Sequence, residues 1–284
     1  MIFNQRIGGA GSGASASIFV YGDQLQSTDT VYAQKDGQRI NGAWNSARSG
    51  FIIAPIPEYG TWVLTAGSGT KTRTILVRID AAEEFEAEVV YHLPSAYQEV
   101  QYLESTGNQW FDSGIIGRYG LSTKAKVQQI EGGNGTLLAC RNGTDGRVYL
   151  GYRTYNETIN IGYKREITSS SQYLLGEVYE CEYEICDEKA TVKLNGSVII
   201  DTFIEPFSSD ISMYVFANNS TTMTFSAPLR CYYLKVFENQ VLIRDFIPCY
   251  RKSDHKPGMY DIVNAVFYVN QGTGADFSVG GDIT

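Results

Sequence analysis

The chain has 284 residues, is 43% hydrophobic and 19% charged, and carries a formal net charge of −8. That length suits two domains, and the composition excludes global disorder. The acidic balance excludes a nucleic-acid partner, which needs clustered Lys and Arg, and acidic residues outnumber basic ones on both sides of Ala96. Twenty Tyr, 13 Phe and 29 Gly, with many Val, Ile and Thr, favour pleated, half-buried surfaces and tight turns, so an all-β fold is expected.

Met1 to Ser17 holds Ile2, Phe3 and Ile7 ahead of the low-complexity run Gly8 to Ser17. With one Arg and no apolar central region it does not read as a secretory signal, and no stretch reaches the roughly 18 to 20 apolar residues of a bilayer span. It is expected to be a flexible arm, residues 1–17, whose three apolar side chains dock on another subunit. The Gly-rich run neither follows a strand nor opens a helix, so it is no phosphate loop.

Residues 18–93 read as a small sandwich. Ser17 to Tyr21, Thr30 to Gln34 and Glu58 to Ala66 are strands, the last entered from Pro55 and Pro57. Gly67 to Thr70 is a turn, from which Thr72 to Ile79 returns with Ile75, Val77 and Ile79 on one face. Phe85, Ala87, Val89 and Tyr91 alternate with Glu84, Glu86 and Glu88, a strand with one wet face. Pro94-Ser95-Ala96 is the expected boundary.

Residues 97–284 hold further short strands between turn signals and no helical pattern, which points to two stacked antiparallel sheets. Asn142-Gly143 and Asp145-Gly146 precede a strand from Arg147 to Tyr152. Asn195-Gly196, between Ala190–Leu194 and Ser197–Ile200, is a two-residue hairpin signal. Strands are also expected at Met213 to Ala217, Met223 to Ser226, Arg230 to Glu238, Gln240 to Ile247 and Ala265 to Val269.

Two tracts resemble a concanavalin A-like (laminin-G-like) jelly roll common in tail proteins of phages and prophages of gut Bacillota. Tyr102-Leu103-Glu104-Ser105-Thr106-Gly107-Asn108-Gln109-Trp110-Phe111-Asp112-Ser113-Gly114 resembles its opening. Tyr233 through Phe246-Ile247-Pro248-Cys249-Tyr250-Arg251-Lys252 to Gly258-Met259-Tyr260-Asp261-Ile262-Val263-Asn264, Phe267-Tyr268 and Gly272-Thr273-Gly274 resembles its close, with His255 standing where that family usually has Gly. Phe51 to Ala66, centred on Ile56-Pro57-Glu58-Tyr59-Gly60-Thr61-Trp62, resembles an Ig-like module of the same phage proteins, and Met1-Ile2-Phe3-Asn4 resembles the start of such virion proteins. The resemblance implies an Ig-like β-sandwich followed by a jelly roll. Phe246, Ile247 and Tyr250 are expected between the sheets, and the Tyr260-to-Tyr268 hairpin is expected to bring the last strand beside the first.

Candidate chemistry is sparse. Glu180, Glu182 and Glu184 share one face of a strand at ~6.5 to 7 Å steps, a spacing glycosidase carboxylates use. With Tyr179, Cys181, Tyr183 and Ile185 on the other face, the plainer reading is an amphipathic strand. Five scattered cysteines read as reduced thiols, and Cys181 and Cys186 point to opposite sides. His92 and His255 are far apart, so zinc is not expected. No cofactor is expected, with calcium at loop residues Asp145, Asp187, Asp201, Asp210 or Asp254 as the alternative. Trp110, Tyr152, Tyr155, Tyr163 and Tyr173 are the candidates for stacking on sugar.

The reading is therefore a non-enzymatic virion structural protein, synthesised in a bacterial cytoplasm. Its expected place is a tail appendage or baseplate, or a capsid-attached fibre or decoration. It is expected to contact other virion proteins through Ile2, Phe3 and Ile7, to be a homo-oligomer (a trimer is one form that fits), and to take a host surface glycan but no membrane. The alternatives are a glycan depolymerase using Glu180 and Glu184, or a purely structural decoration.

Overall fold

The computed structural model describes residues 15–22, 25–67, 73–88, 93–143, 145–220 and 224–283. Among them are strands and turns, with no helix. The chain forms two compact units divided between His92 and Leu93, just ahead of the expected boundary. It is all-β: a small Ig-like sandwich followed by a larger jelly-roll sandwich.

The first unit contains β1 (Ala16–Tyr21), β2 (Thr30–Lys35), β3 (Gln38–Asn41), β4 (Ala43–Asn45), β5 (Gly50–Ile56), β6 (Gly60–Gly67), β7 (Arg73–Ile79) and β8 (Glu84–Glu88). They pair as two sheets, β4-β5-β1-β8 and β3-β2-β6-β7, with β1 and β8 parallel. Period-2 alternation sends Ile18, Val20, Ile53, Trp62, Leu64 and Phe85 into the core. The indole nitrogen of buried Trp62 donates to Glu58 O at 3.1 Å, so burial leaves no orphan donor. On the opposite face of β8, Glu84 and Glu86 ion-pair with Arg48, which also lies 3.6 Å over the Phe19 ring. The sites expected at Ile2, Phe3 and Ile7, the Ser68–Thr70 part of the turn, Val89, Tyr91 and His92 lie outside the described residues. Strand β1 starts at Ala16, inside the segment expected to be arm.

The second unit contains β9 (Tyr97–Glu99), β10 (Leu103–Ser105), β11 (Phe111–Arg118), β12 (Leu121–Gln129), β13 (Thr136–Arg141), β14 (Arg147–Tyr155), β15 (Thr158–Gln172), β16 (Val178–Cys186) and β17 (Lys189–Leu194). It continues through β18 (Ser197–Phe203), β19 (Ser208–Val215), β20 (Ala217–Ser220), β21 (Thr224–Phe225), β22 (Leu229–Glu238), β23 (Val241–Arg251), β24 (Lys256–Asp261), β25 (Val266–Val269) and β26 (Ser278–Val279). One sheet runs β18-β17-β16-β12-β22-β23-β24-β25, with β9, β10 and β26 attached. The other runs β11-β19-β13-β14-β15, with β20 and β21 attached. Between them lies one core, in which Val127, Tyr183, Leu234 and Phe246 of the first sheet join Leu150, Tyr152, Ile161 and Val215 of the second.

The Asn195-Gly196 hairpin forms as read, with φ of 48° and 80° as a type I′ turn requires. In the closing motif, buried Asp261 accepts hydrogen bonds from the amides of Asp245 and Val263, both at 3.0 Å, and from Asn264 Nδ2 at 2.6 Å. Burial raises its carboxyl pKa, and those donors partly offset the rise. The Tyr260-to-Asn264 motif is thus a turn determinant.

Three expectations need correction. Only Phe246 lies in the core: alternation along β23 puts Ile247 on the other, half-buried face. Tyr250, in phase with Phe246 but near the strand's end, is half-buried with its hydroxyl 3.2 Å from Asp282 Oδ2 and its ring on His255. Phe267-Tyr268 pair with β24, and it is β26 that returns beside β10, with Val100 bridged to Asp282. The strand expected through Met213 to Ala217 breaks at Phe216, whose φ of 65° separates β19 from β20. His255, in the place of the family's Gly, has a φ of 55°, so the backbone keeps the left-handed turn that glycine favours, and its ring stacks on Tyr250.

Candidate functional site

Strand β15 reverses on itself. An extended run of its 15 residues would separate its ends by ~50 Å, yet Tyr173 N donates to Glu157 O at 3.3 Å and Ser169 Oγ to Ile159 O at 2.7 Å. Lys164, with a φ of 55°, lies at the bend. The resulting tip, Lys164 to Ile167, faces the end of β18 and the loop that follows it. Together with Asp145 and Tyr163 they enclose a cleft of about 1050 Å³ lined by Thr202, Phe203, Ile204, Glu205 and Phe207.

Tyr163 braces this cleft. Its hydroxyl donates to Phe207 O at 2.7 Å and accepts from Phe207 N, while its ring meets Phe207 edge-on. Burial pushes the phenol up to about 12, so it stays a neutral donor at physiological pH. Tyr119 N also donates to Phe207 O at 2.9 Å, and Ile204 N donates to Glu188 O at 2.8 Å, so the loop is tied at both ends. Phe203 is 80% exposed, with Lys189 Nζ 5.6 Å from its ring centre. The charges largely cancel: Lys164 pairs with Glu205 at 3.1 Å, and Glu166 pairs with Arg153 at 3.0 Å.

A second hollow, of about 440 Å³, adjoins the first and shares Asp145 and Phe207 with it; Asn142, Gly146, Ser208, Ser209 and Asp210 complete its lining. Asn142 N donates to Gly146 O, and Asn142 Nδ2 to Asp210 Oδ1 at 2.5 Å. Gly146 cannot carry a side chain here, since a Cβ would lie 1.9 Å from Asn142 O.

Of the five aromatics expected to meet sugar, two are corrected by burial. Tyr152 lies between the sheets with its hydroxyl on Gln129 Oε1, and Tyr163 supports the cleft from beneath without offering a ring face. Trp110 is half-buried and stacked on Tyr214 at 4.3 Å. Tyr155 is 40% exposed beside Arg153, and Tyr173, half-buried, receives Gln129 Nε2 at 3.2 Å. The five do not converge. Phe203 escaped the sequence reading, although a signal existed: counting outward from buried Ile200 puts it on the same wet face as Asp201.

The Glu180–Glu184 strand is the amphipathic strand expected. Cys181, Tyr183 and Ile185 are buried, and the carboxylates face outward. Glu180 pairs with Lys126 and accepts from Tyr233 Oη, and Glu182 lies between Lys124 and Lys193. Glu184 accepts from Cys186 Sγ at 3.0 Å. The hollow beside Glu182 and Glu184 holds about 70 Å³, too small for a sugar ring. For calcium, Asp201 is paired with Lys189 and Asp254 with Arg251, while Asp145 and Asp210 line the same hollow. Among the described residues no three His, Cys, Asp or Glu side chains gather as a metal site. All five cysteines are free, four of them buried.

No family model matches the sequence, and no curated protein does. Similar solved structures include a proposed carbohydrate-binding protein of Bacteroides ovatus, at 11% identity, 96% coverage of this chain, 98% of that one and a TM-score of 0.45. The LG4-5 domains of the mouse laminin alpha1 chain are 11% identical, covering 80% of this chain and 83% of that one at a TM-score of 0.35. An alginate lyase from Corynebacterium sp. is 14% identical, covering 75% and 96% at a TM-score of 0.27. Likenesses this distant assign neither a ligand nor a reaction.

Proposed function

We propose that the larger sandwich is a non-enzymatic glycan-binding module, and that the cleft between Lys164–Ile167 and Thr202–Phe207 is its site. The observation that carries this is Phe203, an aromatic ring left in water at the rim of a braced, polar cleft. Leaving such a side chain exposed forgoes ~1.5 to 3 kcal/mol of burial, and aromatic faces with adjacent hydroxyl, amide and carboxylate groups are what sugar rings stack on. Phe203→Ala should abolish retention of the chain on immobilised host-surface polysaccharide while leaving its melting profile unchanged. Undiminished retention would sink the assignment.

The wider reading is a structural protein of a bacteriophage particle displaying this module. It is supported by the tracts Tyr102 to Gly114 and Phe246 to Asn264. A tail appendage or baseplate is the first location and a capsid-attached fibre or decoration the second; densitometry of purified particles against the major capsid protein separates few copies from many. In this reading Ile2, Phe3 and Ile7 anchor several copies, a trimer among the arrangements that fit, to a neighbouring virion protein. The depolymerase reading is disfavoured by the ion pair that engages Glu180 and by the cramped hollow beside Glu182 and Glu184. Release of sugar from host capsule that Glu180→Gln stops would restore it.

A further inference from the structure

We infer that this site, if it takes glycan as proposed above, holds an internal stretch of a neutral polysaccharide chain and neither a terminal sugar nor a polyuronate. Three observations lead there.

The first is extent. The two hollows, about 1050 and 440 Å³, adjoin at Asp145 and Phe207. Either is as large as sites that enclose a whole drug-sized ligand, at ~300 to 1000 Å³. One hexose would leave most of this trough in contact with water, whereas a run of linked sugars fills it. The second is the walls. Terminal-sugar sites close round one ring, but here two facing walls, the β15 tip and the β18–β19 connection, run on into the second hollow beside the β13–β14 loop (Asn142, Asp145, Gly146), with Phe203 well exposed on one of the walls.

The third is charge. The lining carries Asp145, Glu166, Glu205 and Asp210 against Lys164 and Arg165. Lys164 is already engaged by Glu205, and Glu166 by Arg153. Arg165 then stands against Asp145 and Asp210 in a chain of net charge −8. A carboxylate on every sugar would meet a described lining in which the carboxylates without an ion pair, Asp145 and Asp210, outnumber the unpaired cation, Arg165. Hydroxyls suit the remaining groups, since Asn142, Thr202, Ser208 and Ser209 donate and accept without charge.

The test is affinity electrophoresis of the full chain in gels containing laminarin, xylan, glucomannan or mixed-linkage β-glucan, with alginate and homogalacturonan as the acidic arm. Calorimetry follows on mono- to octasaccharides of whichever polymer retards it. The expected result is retardation by a neutral polymer, with affinity rising at least ~tenfold from disaccharide to hexasaccharide, equivalent to ~1.4 kcal/mol, and unchanged by borohydride reduction of the end. Asp145→Ala, at the junction, should flatten that rise. Retardation by the acidic polymers alone, or a monosaccharide binding as tightly as the hexasaccharide, overturns the inference and spares the glycan-binding reading. Retardation by none of the six overturns both.

Discussion

Two surfaces of the larger sandwich set carboxylates beside aromatic rings, and they differ in how they are built. On the outer face of β16, Glu180, Glu182 and Glu184 stand on a regular ladder, where cross-strand Lys126 neutralises Glu180 and Lys124 and Lys193 neutralise Glu182. At the trough, the walls come from the reversal of β15 and the irregular chain between β18 and β19, which leave space and an unburied Phe203. Regular pairing brings opposite charges within reach and closes the gaps between them. Irregular backbone is what opens a cleft, at the cost of tying down each loop with its own hydrogen bonds. The ladder should therefore tolerate single changes that the trough does not.

The largest expected effect is at the brace. Tyr163→Phe removes the group that serves both the amide and the carbonyl of Phe207. It should lower stability by ~1 to 3 kcal/mol, the usual cost of orphaning buried polar groups, read as a shift in urea midpoint, and should weaken glycan retention too. Loss of retention with an unmoved midpoint would mean that the hydroxyl touches ligand directly.

An intermediate effect is expected at Cys186, on the ladder strand. Burial, reinforced by the Glu184 carboxylate that accepts its proton and by Asp187, pushes this thiol up to about 12. The thiolate is the reactive form, so at pH 8 alkylation by iodoacetamide should be slow and should accelerate as pH rises toward that value. Glu184→Gln removes the charge that opposes ionisation and should speed labelling at fixed pH, followed by mass spectrometry. An unchanged rate would show that burial alone holds the thiol.

The smallest effect is at the ladder itself. Glu180 and Lys126 are both well exposed and 3.5 Å apart. Glu180→Gln should move stability by no more than ~0.5 kcal/mol and leave polysaccharide retention as it was. A larger loss would give this face a role that its geometry does not suggest.

Much of the architecture was legible in the chain before folding. Alternation named β2, β8 and the inward face of β16, because a strand's side chains obey a period of two wherever it lies, while apolar and aromatic runs named β1 and β6. The Asn195-Gly196 dipeptide named its hairpin, because few residues accept positive φ at two successive positions. These are local rules, and the sequence carries them whole. The trough was not legible. Tyr163 looked like a ligand-facing ring and proved to be a brace, whereas Phe203 passed unnoticed at a strand end.

By itself, then, the sequence determined the all-β class, the two sandwiches, the turn at Asp261 and the solvated carboxylate strand. Tertiary structure decided which aromatic rings face water, which strand closes the sandwich, and where β15 turns back to make a wall. The physical reason is range. Alternation and turn chemistry act between residues a few positions apart, but exposure depends on what packs opposite. Phe207 reaches the Tyr163 hydroxyl only because the fold brings residues 44 apart in sequence into contact.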